Sequence, residues 1–213
     1  MAFQVQIKIC GITREDDLYL ALECGADYLG FIVYPDSPRG LTLKRAIELG
    51  ALAPEGKRVL VDVEPTMEAL HAYNEAGFDR FQLHARTEVD PATLAGWSKI
   101  VGPERLWLAP RLVPGEPFPE RALAFANTIL VDSYSREKMG GTGVTGNWER
   151  FAQWQRAYPS VDWVLAGGLG PSNASEAVTA GEAKCIDVNS GIEASPGQKD
   201  PERLRELFRT LRS

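Results

Sequence analysis

Gln6 to Thr13 reads QIKICGIT, an apolar/polar alternation that stops on a glycine, with the thiol of Cys10 as the last side chain before the turn. Alternation of period two marks a strand with two unlike faces, and Gly11 breaks it. Parallel α/β folds present their functional groups at the C-terminal ends of strands. A strand that finishes on Cys10 therefore supports two readings: a working thiol, or a small buried hydrophobe, as free cysteines commonly are. Parity adds an expectation. Lys8 and Cys10 share one face of this strand and Ile7 and Ile9 the other. If the isoleucines face helices, Lys8 points inward beneath Cys10.

The segments that follow repeat the same unit. Thr13 is expected to cap a helix from Arg14 to about Cys24, with Glu15, Asp16 and Asp17 in its first turn and Gly25 closing it. Tyr28 to Val33 is a nearly continuous apolar run, the mark of a strand covered on both faces. Thr42 caps a helix to about Leu52, and Lys57 to Val63 is the third strand. A helix from Thr66 to Ala76 then closes on Gly77. Arg80 to Leu83 is the fourth strand, with His84 at its exit. Ala92 to Ile100 reads as helix, Leu106 to Ala109 as strand and Glu120 to Ala126 as a weak helix. Thr128 to Val131 is a strand leaving Asp132 at its exit. A helix at Trp148 to Arg156 precedes a strand at Trp163 to Ala166. A helix at Ser172 to Thr179 precedes a strand at Lys184 to Val188, and Asp200 caps a terminal helix through Arg212. Eight units in 213 residues are about 27 residues each, near the ~30 a βαβ unit needs. With no composition break between them, the expectation is a single (β/α)8 TIM barrel over residues 1–213. A doubly wound open sheet is the alternative, since alternation alone does not demonstrate closure.

Composition narrows the function classes. Charged residues make up 24% of the chain and the net charge is -6, which argues against a nucleic-acid partner. No apolar run approaches the ~20 residues of a membrane span, and MAFQVQIKIC lacks the charged and apolar regions of a signal peptide. The three cysteines, Cys10, Cys24 and Cys185, are widely spaced. They suggest neither a disulfide framework nor a metal site, but reduced thiols in a cytoplasm.

Chemically useful groups collect at strand exits: Cys10 after the first, Arg39 after the second, His84 after the fourth and Asp132 after the sixth. Glycine turns, Gly167-Gly168 and Ser190-Gly191, follow the seventh and eighth. Backbone N–H groups in such turns approach a phosphate without side-chain obstruction, and these two loops are the usual phosphate site of barrels. The loop Gly140-Gly141-Thr142-Gly143 is placed to wrap the same ligand or to act as a lid. Cys10 and Asp132 form a candidate base and acid. Arg39 is either a clamp for a substrate carboxylate or an ordinary solvated arginine. Asp187 has the parity of Lys8 in a neighbouring strand, so a Lys8–Asp187 contact is expected. The lysine's charge would then favour a thiolate at Cys10.

The chain resembles the phosphoribosylanthranilate isomerase family of tryptophan biosynthesis. The similar segments are KICGIT (8–13), GADYLGFIVYPDSPR (25–39), FQLH (81–84), LVDS (130–133), GGTG (140–143), LAGGLGPSN (165–173) and DVNSGIEASPGQKD (187–200). They run nearly end to end and in family order. The resemblance implies an Amadori rearrangement of a phosphosugar, N-(5'-phosphoribosyl)anthranilate, with Asp132 as general acid, Cys10 as general base and Arg39 on the anthranilate carboxylate. It further implies His84 and Asp187 as substrate contacts, Gly143, Gly167, Gly168, Ser190 and Gly191 at the phosphate, and no metal or organic cofactor. The assembly expected is a monomer or homodimer. Three departures stand out. Ala85-Arg86-Thr87-Glu88 follows His84 where the family usually has Gly-Asp/Asn-Glu. Val144 follows GGTG where a lysine is usual, removing a positive charge. Gly40 follows Arg39 where an aromatic is common. The alternatives are another phosphosugar barrel, a lyase or related isomerase, and a non-catalytic phosphate-binding descendant.

Overall fold

The structure, a computed structural model, describes residues 4–85, 89–112, 118–132 and 148–212. Eight parallel strands close into a barrel in simple sequential order: β1 (Gln6–Ile9), β2 (Tyr28–Ile32), β3 (Arg58–Val63), β4 (Arg80–His84), β5 (Leu106–Ala109), β6 (Thr128–Asp132), β7 (Asp162–Ala166) and β8 (Cys185–Val188). Closure is explicit, because β1 pairs with β2 on one side and with β8 on the other. The open-sheet alternative is thereby excluded.

Helices α1 (Glu15–Glu23), α2 (Leu43–Gly50), α3 (Met67–Glu75), α4 (Pro91–Val101), α5 (Trp148–Ala157), α6 (Ala174–Gly181) and α7 (Pro201–Arg212) follow their strands. After β5 a 3-10 turn at Glu120–Ala124 takes the helical place. Among the described residues no helix is long and apolar enough to cross a membrane.

Two apolar layers hold the barrel. Ile7 and Ile9, with Leu18, Leu204 and Leu207, belong to the layer between strands and helices. Val59, Val61, Trp107, Leu130 and Val164 fill the interior with Cys10 and Cys185. A parallel sheet covered on both faces needs both layers. Local signals set most element ends. The hydroxyls of Thr42 and Thr66 accept from Arg45 N and Ala69 N. Asp90 accepts from Ala92 N and Thr93 N ahead of Pro91, and Asp200 from Glu202 N and Arg203 N. These carboxylates and hydroxyls satisfy donors that a helix start leaves without partners. A Gly-x-Asp device recurs at helix-to-strand turns. Gly25 and Gly77 take φ of 95° and 79°, and Asp27 and Asp79 accept from amides near the start of the preceding strands, Ile7 N at 2.8 Å and Arg58 N at 2.9 Å.

Thr13 does not cap α1. The N-cap residue is Arg14, which makes no side-chain cap, and the Thr13 hydroxyl donates instead to the Gly197 carbonyl. That carbonyl belongs to an element the periodicity did not reveal. After β8 come a short turn at Ser190–Ile192 and an antiparallel hairpin, β9 (Glu193–Ser195) and β10 (Gln198–Lys199), which carries the chain to α7. Gly40, a departure from the family pattern, has a local cause. A Cβ there would lie 2.5 Å from the Tyr34 carbonyl oxygen and 3.0 Å from that of Ser37, so the turn leading out of β2 closes too tightly for a side chain.

Candidate active site

The C-terminal ends of the strands surround a cavity of about 520 Å³, within the range of small-molecule sites. Cys10, Arg39, His84, Asp132, Gly167, Gly168, Asp187 and Ser190 all line it, so strand exits scattered over most of the chain meet in one place. Gly143 and the rest of Gly140–Gly143 lie outside the described residues. Among the described residues no group of three His, Cys, Asp or Glu side chains is disposed to hold a metal.

Cys10 is 4% exposed. Its amide still donates to Val188 O at 2.9 Å, which anchors the thiol to the β1–β8 ladder before the chain turns at Gly11, φ 71°. Beneath it Lys8 is fully buried. The register pairs Lys8 with Asp187, and Lys8 Nζ donates to Asp187 Oδ1 at 2.9 Å. The contact expected from strand parity is present. Opposite them, Gly30 in β2 leaves the space: a Cβ there would be 2.8 Å from both Cys10 Sγ and Lys8 Nζ.

The electrostatic balance bears out the sense of the Lys8 effect and shows what outweighs it. Burial raises the Cys10 thiol above its ordinary pKa, the Asp187 carboxylate adds to that, and Lys8 offsets only part of it. Lys8 moderates the thiol without making it a resting thiolate. The ammonium of Lys8 itself is held charged: burial disfavours it, yet Asp187 and Cys10 outweigh burial and its pKa is raised.

Arg39 is not a solvated arginine. Its Nε donates to Glu193 Oε1 at 2.8 Å and its Nη2 to Oε2 at 2.5 Å. Glu193 also accepts from Lys199 Nζ at 3.1 Å and from Gly197 N at 3.1 Å, and Lys199 donates to Asn189 Oδ1 at 2.9 Å. The hydrogen bond to Glu193 raises the Arg39 pKa. Burial works against the Glu193 carboxylate, but Arg39 and Lys199 bring its pKa below the ordinary value. Lys199 is lowered by burial despite Glu193. Glu193, Lys199 and Asn189 were quoted above only as letters of a family segment. Their signal was the presence of ionisable residues in a segment otherwise made of turn formers.

Gln82 was missed as well. It is 2% exposed, lines the cavity floor and donates from Nε2 to His84 Nε2 at 2.8 Å. Its Oε1 is buried without a partner among the described residues. A glutamine on the same strand parity as His84, set between the apolar Phe81 and Leu83, was the available signal.

The glycine turns after β7 and β8 pack backbone on backbone. A Cβ on Gly191 would run into the Leu169 carbonyl and sit 3.0 Å from Gly170 Cα. Gly191 therefore seats the two turns against each other and does not itself line the cavity, whereas Gly167 (φ 100°) and Gly168 (φ 64°) do. Asn173 ties the first turn down, accepting from Gly170 N and donating to Gly168 O.

Comparison with known proteins agrees with this arrangement. Residues 7–210 match the family model described as N-(5'phosphoribosyl)anthranilate (PRA) isomerase. The N-(5'-phosphoribosyl)anthranilate isomerase of Aquifex aeolicus is 34% identical over 212 residues, 98% of this chain and 99% of that protein. The crystal structure of phosphoribosyl anthranilate isomerase from Thermotoga maritima superposes with a TM-score of 0.81 at 29% identity, covering 98% of each chain. A crystal structure of phosphoribosyl anthranilate isomerase in complex with reduced 1-(o-carboxyphenylamino)-1-deoxyribulose 5-phosphate does so with a TM-score of 0.78 at 28% identity, again over 98% of each. With sequence, barrel and strand-end site all in accord, the chain belongs to the N-(5'-phosphoribosyl)anthranilate isomerase family.

Proposed function

We propose that the chain catalyses the Amadori rearrangement of N-(5'-phosphoribosyl)anthranilate to 1-(2-carboxyphenylamino)-1-deoxyribulose 5-phosphate, in tryptophan biosynthesis, with Asp132 as general acid and Cys10 as general base. The observation that carries the assignment of roles is that these two side chains, from β6 and the end of β1, open on one cavity. Asp132 protonates the furanose ring oxygen; the C1'–O bond breaks and the anilino nitrogen supplies the electron pair, giving a Schiff-base cation. Cys10 then takes the proton from C2', and the electrons of that bond neutralise the cation as an enolamine. Tautomerisation of the enolamine yields the ketone. Proton transfers between neighbouring carbons need no metal or organic cofactor.

The remaining groups bind. Gly167, Gly168 and Ser190 offer the phosphate a cradle at the β7 and β8 exits, with Gly191 seating it and Gly143 assigned to the same anion on the family pattern. Arg39 meets the anthranilate carboxylate. His84, with Gln82 behind it, and Asp187 face the sugar hydroxyls. Place and assembly follow the same reading: a cytoplasmic enzyme with reduced thiols, acting as a monomer or homodimer on a small phosphosugar.

The direct test follows the loss of phosphoribosylanthranilate fluorescence with purified protein. Turnover is expected in the wild type. Cys10→Ser and Asp132→Asn should each lower kcat by at least ~10²-fold, the range for a positioned acid or base. Full activity in either variant would remove that residue from its role.

A further inference from the structure

Arg39, Glu193 and Lys199 form a chain of charges that reaches from the hairpin after β8 to the edge of the catalytic thiol. The guanidinium has two donor edges. Its Nε/Nη2 edge is taken by Glu193 in a two-point grip at 2.8 and 2.5 Å. Nη1 and the second Nη2 hydrogen form the other edge, and Nη1 has no hydrogen-bond partner among the described residues. Arg39 lines the cavity, and its stem lies across Gly11: a Cβ there would be 2.7 Å from Arg39 Cδ and 2.8 Å from Asn189 Oδ1. The arginine is thus pinned from below by the chain that follows Cys10 and from behind by Glu193.

Glu193 is placed to hold and not merely to neutralise. Only 6% of it is exposed, and it is itself oriented by Lys199 Nζ and by the Gly197 amide, each at 3.1 Å. Lys199, 1% exposed, is fixed in turn by Asn189. Glu193 is shared between Arg39 and Lys199, and its grip leaves the other edge of the guanidinium to the cavity that Arg39 lines. A planar carboxylate matches that edge with two parallel N–H···O bonds.

We propose that Glu193 and Lys199 are positioning residues that hold Arg39 with its outer donor edge toward the cavity, and that this grip sets the selectivity for an N-aryl phosphosugar bearing an ortho carboxylate. The inference rests on the isomerase reading above and names the part of the site that recognises the aromatic acid. Sites built to hydrogen-bond a substrate group reject analogues lacking it because their own polar atoms are then left unpaired. Preorganisation of the fork by Glu193 reduces the ordering cost of that recognition.

The experiment compares two ligands, reduced 1-(o-carboxyphenylamino)-1-deoxyribulose 5-phosphate and its counterpart without the carboxyl group, by calorimetric titration of the wild type, Glu193→Gln, Arg39→Lys and the double variant. Inorganic phosphate inhibition serves as a readout of the distant anion site, and kcat and KM are measured alongside. The wild type should prefer the carboxylated ligand by about 10²-fold, the order of a lost charge-assisted pair. Glu193→Gln should cut that preference at least tenfold and raise KM more than it lowers kcat, with phosphate inhibition unchanged. Adding it to Arg39→Lys should change the preference no further, because a lysine has no second edge to orient. Undiminished preference in Glu193→Gln, or additive losses in the double variant, would overturn the proposal. If Glu193→Gln does not fold, Lys199→Gln takes its place with the same criteria, and Lys199→Arg should restore preference. A wild type that turns over no phosphoribosylanthranilate would instead overturn the isomerase reading, which separates the two failures.

Discussion

Gly30→Ala is the smallest change that tests the placement of the base. The added methyl would lie 2.8 Å from Cys10 Sγ, 2.8 Å from Lys8 Nζ and 3.1 Å from Cys10 Cα. Carbon contacts settle at about 3.5–4.0 Å, so neighbours must retreat by roughly 0.5–1 Å. Lys8 Nζ cannot withdraw cheaply because it is fully buried and bound to Asp187 at 2.9 Å. Cys10 Cα is held by its amide bond to Val188 O. The thiol is the softest neighbour, and rotating it about χ1 carries Sγ away from the methyl and out of its place in the cavity lining. Overpacking of this kind costs about 1–3 kcal/mol, and each kcal/mol moves Tm by about 2–4 °C in a protein of this size. Displacement of a catalytic group by ~1 Å can cost ~10²-fold in rate. The expected result is a kcat at least tenfold lower, with KM for phosphoribosylanthranilate changed less than threefold. The three atoms nearest the added methyl all belong to Cys10 and Lys8, not to the groups assigned to binding. Steady-state kinetics, thermal melting and alkylation of the thiol read the three effects. Gly50→Ala is the control: its Cβ meets Phe78 at an ordinary 3.4 Å, and a glycine removed from a helix gains up to about 1 kcal/mol. A Gly30→Ala protein with wild-type kcat and thiol reactivity would refute the crowded arrangement of Gly30, Lys8 and Cys10.

Other outcomes follow from the same geometry. Gly191→Ala drives a methyl into the Leu169 carbonyl and should raise both KM and the inhibition constant for inorganic phosphate about tenfold or more; an unchanged phosphate constant would contradict the seating of the two turns. Thr42→Ala and Thr66→Ala each remove an N-cap acceptor and should cost about 1 kcal/mol with no change in kcat, measured by denaturant unfolding. The Cys10 thiol is raised above 9.0 in the folded chain, so the ultraviolet thiolate signal of wild type minus Cys10→Ser should appear only above that pH. The unfolded chain loses this proton first, so the contribution to stability should be complete below the ordinary thiol pKa and decline as pH rises past it. Glu193, lowered from 4.5, has the opposite sign: its contribution is present above 4.5 and is lost as pH falls through the folded value. Glu193→Gln should therefore flatten the acid limb of stability against pH.

Much of the barrel was legible because its signals are local. The period-two run that stops at Gly11, the apolar run of Tyr28 to Val33, capping hydroxyls at Thr42 and Thr66 and the helix-closing Gly25 and Gly77 each act within a few residues. Lys8–Asp187 was legible too, although 179 positions separate them: parity orients each residue, and closure makes their strands neighbours. Thr13 shows where local reading stops. A hydroxyl before a helix has a cap as its nearest option, yet Gly197, distant in sequence, competes for it and wins. The β9–β10 hairpin is too short to show periodicity, and the grip of Glu193 on Arg39 spans 154 positions. The thiol's protonation was illegible for a different reason. Lys8 next to Cys10 in the strand announces a lowered pKa, while the burial that outweighs it exists only once all eight strands have closed.

That outcome bears on how the base works. A buried thiol above its ordinary pKa is a poor base in the empty site, and Lys8, already committed to Asp187, supplies only partial relief. The charges nearest the thiol are arranged for a later moment. On the proposed mechanism, ring opening by Asp132 creates a Schiff-base cation at the C1'–N unit, next to the carbon that gives up its proton, and a cation there favours transfer of that proton to sulfur. On the same reading the substrate carboxylate takes the open edge of Arg39, where its negative charge is met by a cation. Lys199 lies close enough to Cys10 to lower its pKa further, with Glu193 between it and the guanidinium. The direction of the Cys10 shift therefore favours the neutral thiol over a standing thiolate. The site keeps fixed dipoles and ion pairs in register with charge that develops during reaction, where a low-dielectric interior gives them most effect. In the proposed mechanism the acid step and the base step are coupled through that cation, because burial of Cys10 disfavours a thiolate until ring opening supplies the neighbouring positive charge.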